Sequence, residues 1–105
     1  MSDMKYLDSG NYDEFIASGV VVIDFYADWC GPCKMFAPTF EEAMSDYEGR
    51  VSFAKVNVDE NRDIASKNKI MGIPTMIFFK DGTIADRVSG VLDKSAFYNR
   101  IDSLL

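Results

Sequence analysis

The segment from Val20 to Ala27, VVVIDFYA, is a nearly unbroken run of β-branched and aromatic residues that follows Gly19. A strand with one face in water alternates polar and apolar side chains. This run scarcely does, so both of its faces must be covered. It is expected to be the central strand of a sheet packed between other layers. One residue breaks the pattern: Asp24 sets a carboxylate inside the run.

Around this strand the chain reads as alternating elements. Lys5 to Leu7 is a weak first strand, and Asn11 to Ser18 a short helix with Asn11 as its cap and Gly19 closing it. After the cysteines, Phe36, Ala37, Phe40, Ala43, Met44 and Tyr47 recur at helical spacing, with Glu41, Glu42, Asp46 and Glu48 on other faces, which predicts a long amphipathic helix. Pro38 lies inside it, removes one donor and is expected to kink it about one turn past Cys33. Val51 to Val58 reads as a strand and Arg62 to Lys69 as a short polar helix. Thr75 to Lys80 and Thr83 to Ser89 flank Asp81-Gly82, a dipeptide that favours a tight hairpin. Asp93 caps a last helix carrying Phe97, Ile101 and Leu104 on one stripe. The order β-α-β-α-β-α-β-β-α requires parallel strands with right-handed crossovers early and an antiparallel pair late. The expected class is α/β, a mixed sheet between helices, in one domain spanning residues 1–105.

Composition narrows the chemistry. Apolar residues make up 48% and charged residues 27%, ordinary values for a chain with a packed core. The net charge of -6 is opposite in sign to the footprint of a protein that neutralises phosphates, so no nucleic acid partner is expected. The chain has no histidine, which removes Ser-His-Asp triads, Cys-His proteases, imidazole metal sites and histidine proton shuttles. Cys30 and Cys33 alone cannot complete a four-ligand zinc site, and Lys34 stands where c-type haem attachment needs a histidine, so no metal is expected. No stretch approaches the roughly eighteen apolar residues of a membrane span, and the start MSDMKYLDSG lacks the basic and apolar pattern of a leader. A cytoplasmic protein with no membrane partner is expected. In such a reducing compartment a cysteine pair is more often catalytic or metal-binding than a structural staple.

Cys30 and Cys33 sit between the end of the central strand and the start of the long helix, where open α/β sheets commonly place their sites. Their spacing lets both sulfurs face one side of a first helical turn. With Cys30 near the N-cap, the exposed amides and the helix dipole stabilise a thiolate there, which makes Cys30 the candidate nucleophile. Cys33, one turn in, is expected to be the more buried and to stay a neutral thiol until it attacks. As a staple the pair has little value, because a ring this short restricts the unfolded chain little.

The string WCGPCK from Trp29 to Lys34, preceded by VVVIDFYAD and followed by MFAP, resembles the active-site segment of the thioredoxin family. The match continues in KVNVDEN (Lys55 to Asn61), GIPT (Gly72 to Thr75), FFKDG (Phe78 to Gly82) and SGV (Ser89 to Val91), and so covers nearly the whole chain in order. The resemblance implies the thioredoxin fold, a central mixed five-stranded sheet flanked by four helices. It also implies a dithiol-disulfide exchange cycle: Cys30 attacks a target disulfide and Cys33 resolves the mixed disulfide. Gly31 and Pro32 stiffen the intervening turn and tune the potential, and in that place they resemble reductants rather than oxidising or isomerising relatives.

On its residues alone, Asp24 is as consistent with a bulge or a structural pairing to Lys55 as with a proton acceptor of raised pKa. The resemblance assigns it proton transfer with the second cysteine through water, and places the counterpart of Lys55 nearby, so that Cys30, Cys33, Asp24 and Lys55 form the implied catalytic set. It makes the Ile73-Pro74 bond cis and sets it against the cysteines, with neighbouring backbone free to receive a substrate strand. Trp29, Met71, Gly72, Ile73, Pro74, Gly90 and Val91 then form an apolar substrate-binding rim, with Trp29 as a lid. Met71 stands where relatives vary, and Tyr26 replaces a tryptophan of some members. The implied protein is a monomeric protein-disulfide reductase. It binds no cofactor, serves disulfide-containing clients and is re-reduced by an NADPH-dependent, flavin-containing thioredoxin reductase. Two rival functions are a binding module indifferent to redox state and an oxidase or isomerase.

Overall fold

The computed structural model describes residues 3–105. Strands β1 (Lys5–Tyr6), β2 (Val20–Tyr26), β3 (Val51–Asn57), β4 (Thr75–Lys80) and β5 (Thr83–Ser89) form one sheet in the order β1-β3-β2-β4-β5. The β-branched run is thus the middle strand. It pairs in parallel with β3 and antiparallel with β4, so both of its edges are hydrogen-bonded. β1 pairs in parallel with β3, and β4 and β5 form an antiparallel hairpin. The mixed five-stranded sheet expected from the sequence is present.

Side-chain alternation divides β2 between two layers. Val22 packs with Phe36, Phe40, Phe53, Met76, Phe78 and Phe97 under helices α2 (Gly31–Asp46) and α4 (Lys94–Asp102). Val21, Ile23 and Phe25 pack with Tyr12, Ile64, Ile77 and Phe79 under α1 (Tyr12–Ile16) and α3 (Arg62–Lys67). Phe25, Phe40, Phe78 and Phe79 are core residues, as expected.

Helix α2 runs through Pro38 without a break, and Tyr47 at its end accepts the role of C-cap. Helix α4 opens on Asp93, whose Oδ1 accepts the Ala96 amide at 2.8 Å, and it ends at Asp102, leaving Leu104 beyond the helix but still packed on the core. Helix α1 is shorter than expected, and Asn11 does not cap it with its side chain. The Asn11 Oδ1 instead accepts the Asp8 amide at 2.8 Å, which stabilises the preceding turn. Helix α3 stops at Lys67 because Lys69 turns into the left-handed region at φ 54. Arg87 donates to the carbonyls of Asn68 and Lys69 and so satisfies the end of that helix from β5.

The Asp81-Gly82 hairpin has positive φ at both residues, 50 and 86, the twist-matched turn for a two-residue loop. The φ of 86 at Gly82 favours glycine, and a Cβ there would also lie a tight 3.3 Å from the Ala17 carbonyl oxygen. Asp81 also ties the turn to the start of β2. Its amide donates to the Gly19 carbonyl at 2.9 Å and its Oδ1 accepts the Gly19 amide at 2.9 Å. A register shift between Phe78 and Phe79 leaves Ala85 without a partner on β4, a bulge that the sequence did not announce.

Phe97 is the joint between α4 and the sheet: its ring meets Phe36 edge-on at 5.0 Å and Phe78 at 5.9 Å. Phe97→Ala is expected to lower unfolding stability by about 3–5 kcal/mol, the usual cost of an aromatic-sized cavity. Denaturant titration checks this, and a midpoint equal to that of the parent chain contradicts it.

Candidate active site

Cys30 occupies the N-cap of α2 with extended backbone angles, φ -83 and ψ 112, and its sulfur accepts the Cys33 amide at 3.2 Å. A side chain at this position normally accepts from the third helical amide, and here the acceptor is sulfur rather than oxygen. The Cys30 carbonyl accepts the Lys34 amide at 3.2 Å and continues the helix. Pro32 is the second helical residue, where no donor is lost to the ladder. Cys30 and Cys33 are joined as a disulfide with Cα atoms 5.3 Å apart. After reduction, the Cys33 amide and the helix N-terminus stabilise negative charge on Cys30 over a neutral thiol.

The expectation that Cys33 is the more buried cysteine is corrected. Cys30 is 3% exposed and Cys33 4% exposed. The disulfide draws both residues against Ala27, with Tyr26, Val58 and Ile73 packed around them. What distinguishes the two sulfurs is therefore the amide hydrogen bond at Cys30 rather than solvent access.

The Ile73-Pro74 bond is cis, and the Ile73 carbonyl oxygen lies 3.8 Å from the Cys30 sulfur. In the disulfide that sulfur carries no proton, so this is a contact, and it becomes S–H···O only when Cys30 is a thiol. Among the described residues, neither the amide nor the carbonyl of Ile73 takes part in a backbone hydrogen bond. Pro74 itself is buried beneath this loop, and its carbonyl accepts the Gly90 amide at 2.7 Å. The Thr75 hydroxyl bonds the Gly72 carbonyl and lies 3.0 Å from the Ser89 hydroxyl. Thr75 and Ser89 thus join the loops of β4 and β5, a role that sequence reading missed because both residues also suit strand ends.

Trp29 is 70% exposed and so is a surface aromatic rather than part of the core. Its Nε1 donates to Asp59 Oδ2 at 2.8 Å, holding the indole at the surface beside the disulfide. Asp59 was not singled out by the sequence, since an acidic residue in a polar turn carries no distinguishing pattern. Met71, Gly72 and Val91 are exposed, while Ile73 and Gly90 are half-buried. Of the residues expected to form a rim, Trp29, Met71, Gly72 and Val91 are thus open to solvent and Pro74 is buried.

Asp24 is fully buried on the α2 face of β2, in register with Lys55 on β3 and Met76 on β4. It is not at a bulge. Lys55 Nζ lies 3.9 Å from Asp24 Oδ2, an ion-pair distance but too long for a hydrogen bond, and neither carboxylate oxygen has a hydrogen-bond partner among the described residues. Lys55 instead rests 4.9 Å from the Tyr26 ring centre and 5.9 Å from that of Phe40, both within cation–π range. Burial raises the Asp24 pKa to about 7, and the Lys55 charge opposes that rise without cancelling it. A shallow pocket of about 140 Å³, lined by Tyr26, Ala27, Asp28, Cys33, Lys34, Ala37 and Lys55, brings solvent to Cys33 and Lys55. Cys33 and Lys55 thus share one solvent-facing pocket, and Asp24 lies buried behind Lys55 without lining it.

The raised Asp24 pKa has a thermodynamic sign. The folded chain holds a proton that the unfolded chain releases between the ordinary aspartate value of 3.8 and about 7, so stability falls as pH rises through this window and is flat above it. A shift of about three units corresponds to about 4 kcal/mol lost between pH 4 and pH 8. Asp24→Asn is expected to remove most of this slope and to be the more stable protein at pH 8. Unfolding titrations at the two pH values check it, and parallel pH profiles for the two proteins contradict it.

The thioredoxin family model matches residues 3–103. A thioredoxin of Staphylococcus haemolyticus is 48% identical over 105 residues, covering all of both chains. A thioredoxin of Staphylococcus saprophyticus is 50% identical over 94 residues, 90% of this chain and 89% of the relative, and one of Staphylococcus aureus is 45% identical over the full length of both. A capped cysteine pair at the mouth of a mixed sheet, and relatives of equal length near half identity, lead to one conclusion: the chain belongs to the thioredoxin family of thiol-disulfide oxidoreductases.

Proposed function

We propose that the protein is a protein-disulfide reductase and electron carrier, acting as a single monomeric unit in the cytoplasm. The observation that carries this reading is the Cys30 sulfur at the N-cap of α2, hydrogen-bonded to the Cys33 amide at 3.2 Å and bonded to its neighbouring sulfur. The Cys30 thiolate attacks one sulfur of a client disulfide, forming a mixed disulfide and expelling the other client sulfur as a thiolate. Cys33 then loses its proton and attacks the Cys30 sulfur. The ring closes, the client leaves with both of its sulfurs reduced, and this chain holds the disulfide.

Asp24 takes the Cys33 proton, and Lys55 biases its ionisation. With a pKa of about 7, Asp24 is near half ionised at neutral pH, so it accepts and returns a proton at little cost. The free amide and carbonyl of Ile73 pair with an extended client segment beside Cys30, while Trp29, Met71, Gly72, Gly90 and Val91 cover its apolar side chains over the floor made by Pro74. Backbone pairing is indifferent to sequence, which suits a reductase with many clients. Electrons return from NADPH through a flavin-containing thioredoxin reductase, and the two sulfurs store them without a bound cofactor.

Reduction of insulin disulfides by dithiothreitol, with Trp29 fluorescence followed on reduction, tests the reading. The protein is expected to accelerate the reaction, Cys30→Ser to abolish the acceleration, and Cys33→Ser to accumulate a mixed disulfide visible by mass. Absence of acceleration by the parent chain, or partner function surviving Cys30→Ser, favours the redox-indifferent module instead. A reduced pair at equilibrium with glutathione excludes the oxidase. Asp24→Asn is expected to slow release of the mixed disulfide about tenfold at pH 7 and to remove the rate inflection near pH 7. Unchanged turnover from pH 6 to pH 9 would count against this role.

A further inference from the structure

The chain has six methionines, and among the described residues two of them, Met35 and Met71, face water. Met71 is 96% exposed and Met35 is 73% exposed. Met4 and Met44 are half-buried and Met76 is fully buried. Met71 stands two residues before Ile73, whose carbonyl touches the Cys30 sulfur. Met35 lies one helical turn after Gly31, so it borders the pair on the exposed side of α2. Unlike the other exposed apolar side chains, such as Tyr6, Ile84 and Leu105, these two carry a thioether, which adds reactivity that leucine lacks.

We propose that Met71 is a redox-modification site that sets client affinity, with Met35 as a second and slower site. This rests on the reading that the loop from Met71 to Pro74 receives the client. A peroxide transfers one oxygen atom to the Met71 sulfur. The O–O bond breaks, an S–O bond forms, the sulfur gives up two electrons, and the peroxide leaves as water or an alcohol. The product is a sulfoxide, a strong acceptor where the client presents apolar surface. In the disulfide state Cys30 and Cys33 have no thiol and almost no exposure, so Met71 is the first described sulfur that a peroxide meets.

The consequence is a second layer of control on one surface. The cysteine pair records whether the carrier is loaded, and Met71 determines whether it docks. Dithiol reductants that reset the pair leave the sulfoxide in place, and a sulfoxide reductase restores the thioether. Placing an unpaired S–O group against apolar client surface corresponds to about a five- to tenfold rise in KM. Attack on a small aliphatic disulfide, which does not need the rim, keeps its rate.

The test uses the full chain in its disulfide form, treated with hydrogen peroxide, mapped by peptide mass and assayed for insulin reduction. Met71 is expected to gain oxygen first, then Met35, then Met4 and Met44, with Met76 last. The KM for insulin is expected to rise about five- to tenfold while the rate with the small disulfide holds. Each of Met71→Leu and Met35→Leu is compared with itself before and after treatment, and the Met71→Leu ratio is expected near one. Complete sulfoxidation of Met71 with KM unchanged, or the same loss in treated Met71→Leu, overturns the proposal. Met71→Asp separates the two readings. If it raises KM while the sulfoxide does not, the rim stands and the switch falls; if it leaves KM unchanged, the rim falls and takes the switch with it.

Discussion

The burial of β2 is the constraint on which the molecule depends. Both of its edges are hydrogen-bonded, to β3 and β4, and both of its faces are covered, by α2 and α4 on one side and α1 and α3 on the other. Apolar burial of this kind contributes roughly 25 cal/mol per Å² removed from water, and here it is concentrated in one continuous run. The cysteine pair lies just past the end of this strand. The chain leaves β2 at Tyr26, turns through Ala27 to Trp29, and enters α2 with Cys30 at its cap. The site therefore stands on a strand that is paired on both edges and buried on both faces.

Two electrostatic devices of opposite sense flank the disulfide. On the outer side, a helix N-terminus and the Cys33 amide favour negative charge on Cys30. On the inner side, the buried setting of Asp24 disfavours negative charge, and Lys55 at 3.9 Å relieves this only in part. The pair of sulfurs sits between a place that welcomes an anion and a place that resists one. Stability is sacrificed at Asp24, since an apolar residue in register with Met76 would suit the core better. A buried carboxyl without a hydrogen-bond partner inside an otherwise consistent core is the observation behind the proton-transfer role proposed for Asp24.

The parts legible in the sequence are those set by local pattern. The β2 run declared its own burial, Asp81-Gly82 declared a hairpin, Asp93 a helix start, and the cysteine spacing a helical first turn. The misread parts depend on competition between partners that sequence does not display. Asn11 can cap a helix or bond the turn before it, and the structure gives its oxygen to Asp8. Cys33 was expected deeper than Cys30, but a disulfide places both under the same neighbours. Asp59, Thr75 and Ser89 were passed over because each is unremarkable locally. Their importance comes from residues brought near by the fold: Trp29 for Asp59, and the Gly72 carbonyl with the adjoining strand for Thr75 and Ser89.

The tie between Asp81 and Gly19 lies at the other end of the sheet from the cysteine pair, about 20 Å along the strands from the Phe25–Thr75 pair. Cys30 is fed by the outgoing end of β2, and Ile73 and Pro74 by the incoming end of β4, so their spacing is fixed by how the two strands are slid against each other. A slip that kept the same faces inward would shift Pro74 by about two residues, close to 7 Å, and part it from the sulfur. The remote turn acts as the zero mark of a scale read at the active site. A hairpin with no catalytic group of its own thereby has a share in the reaction, as the gauge that holds the two halves of the site in step.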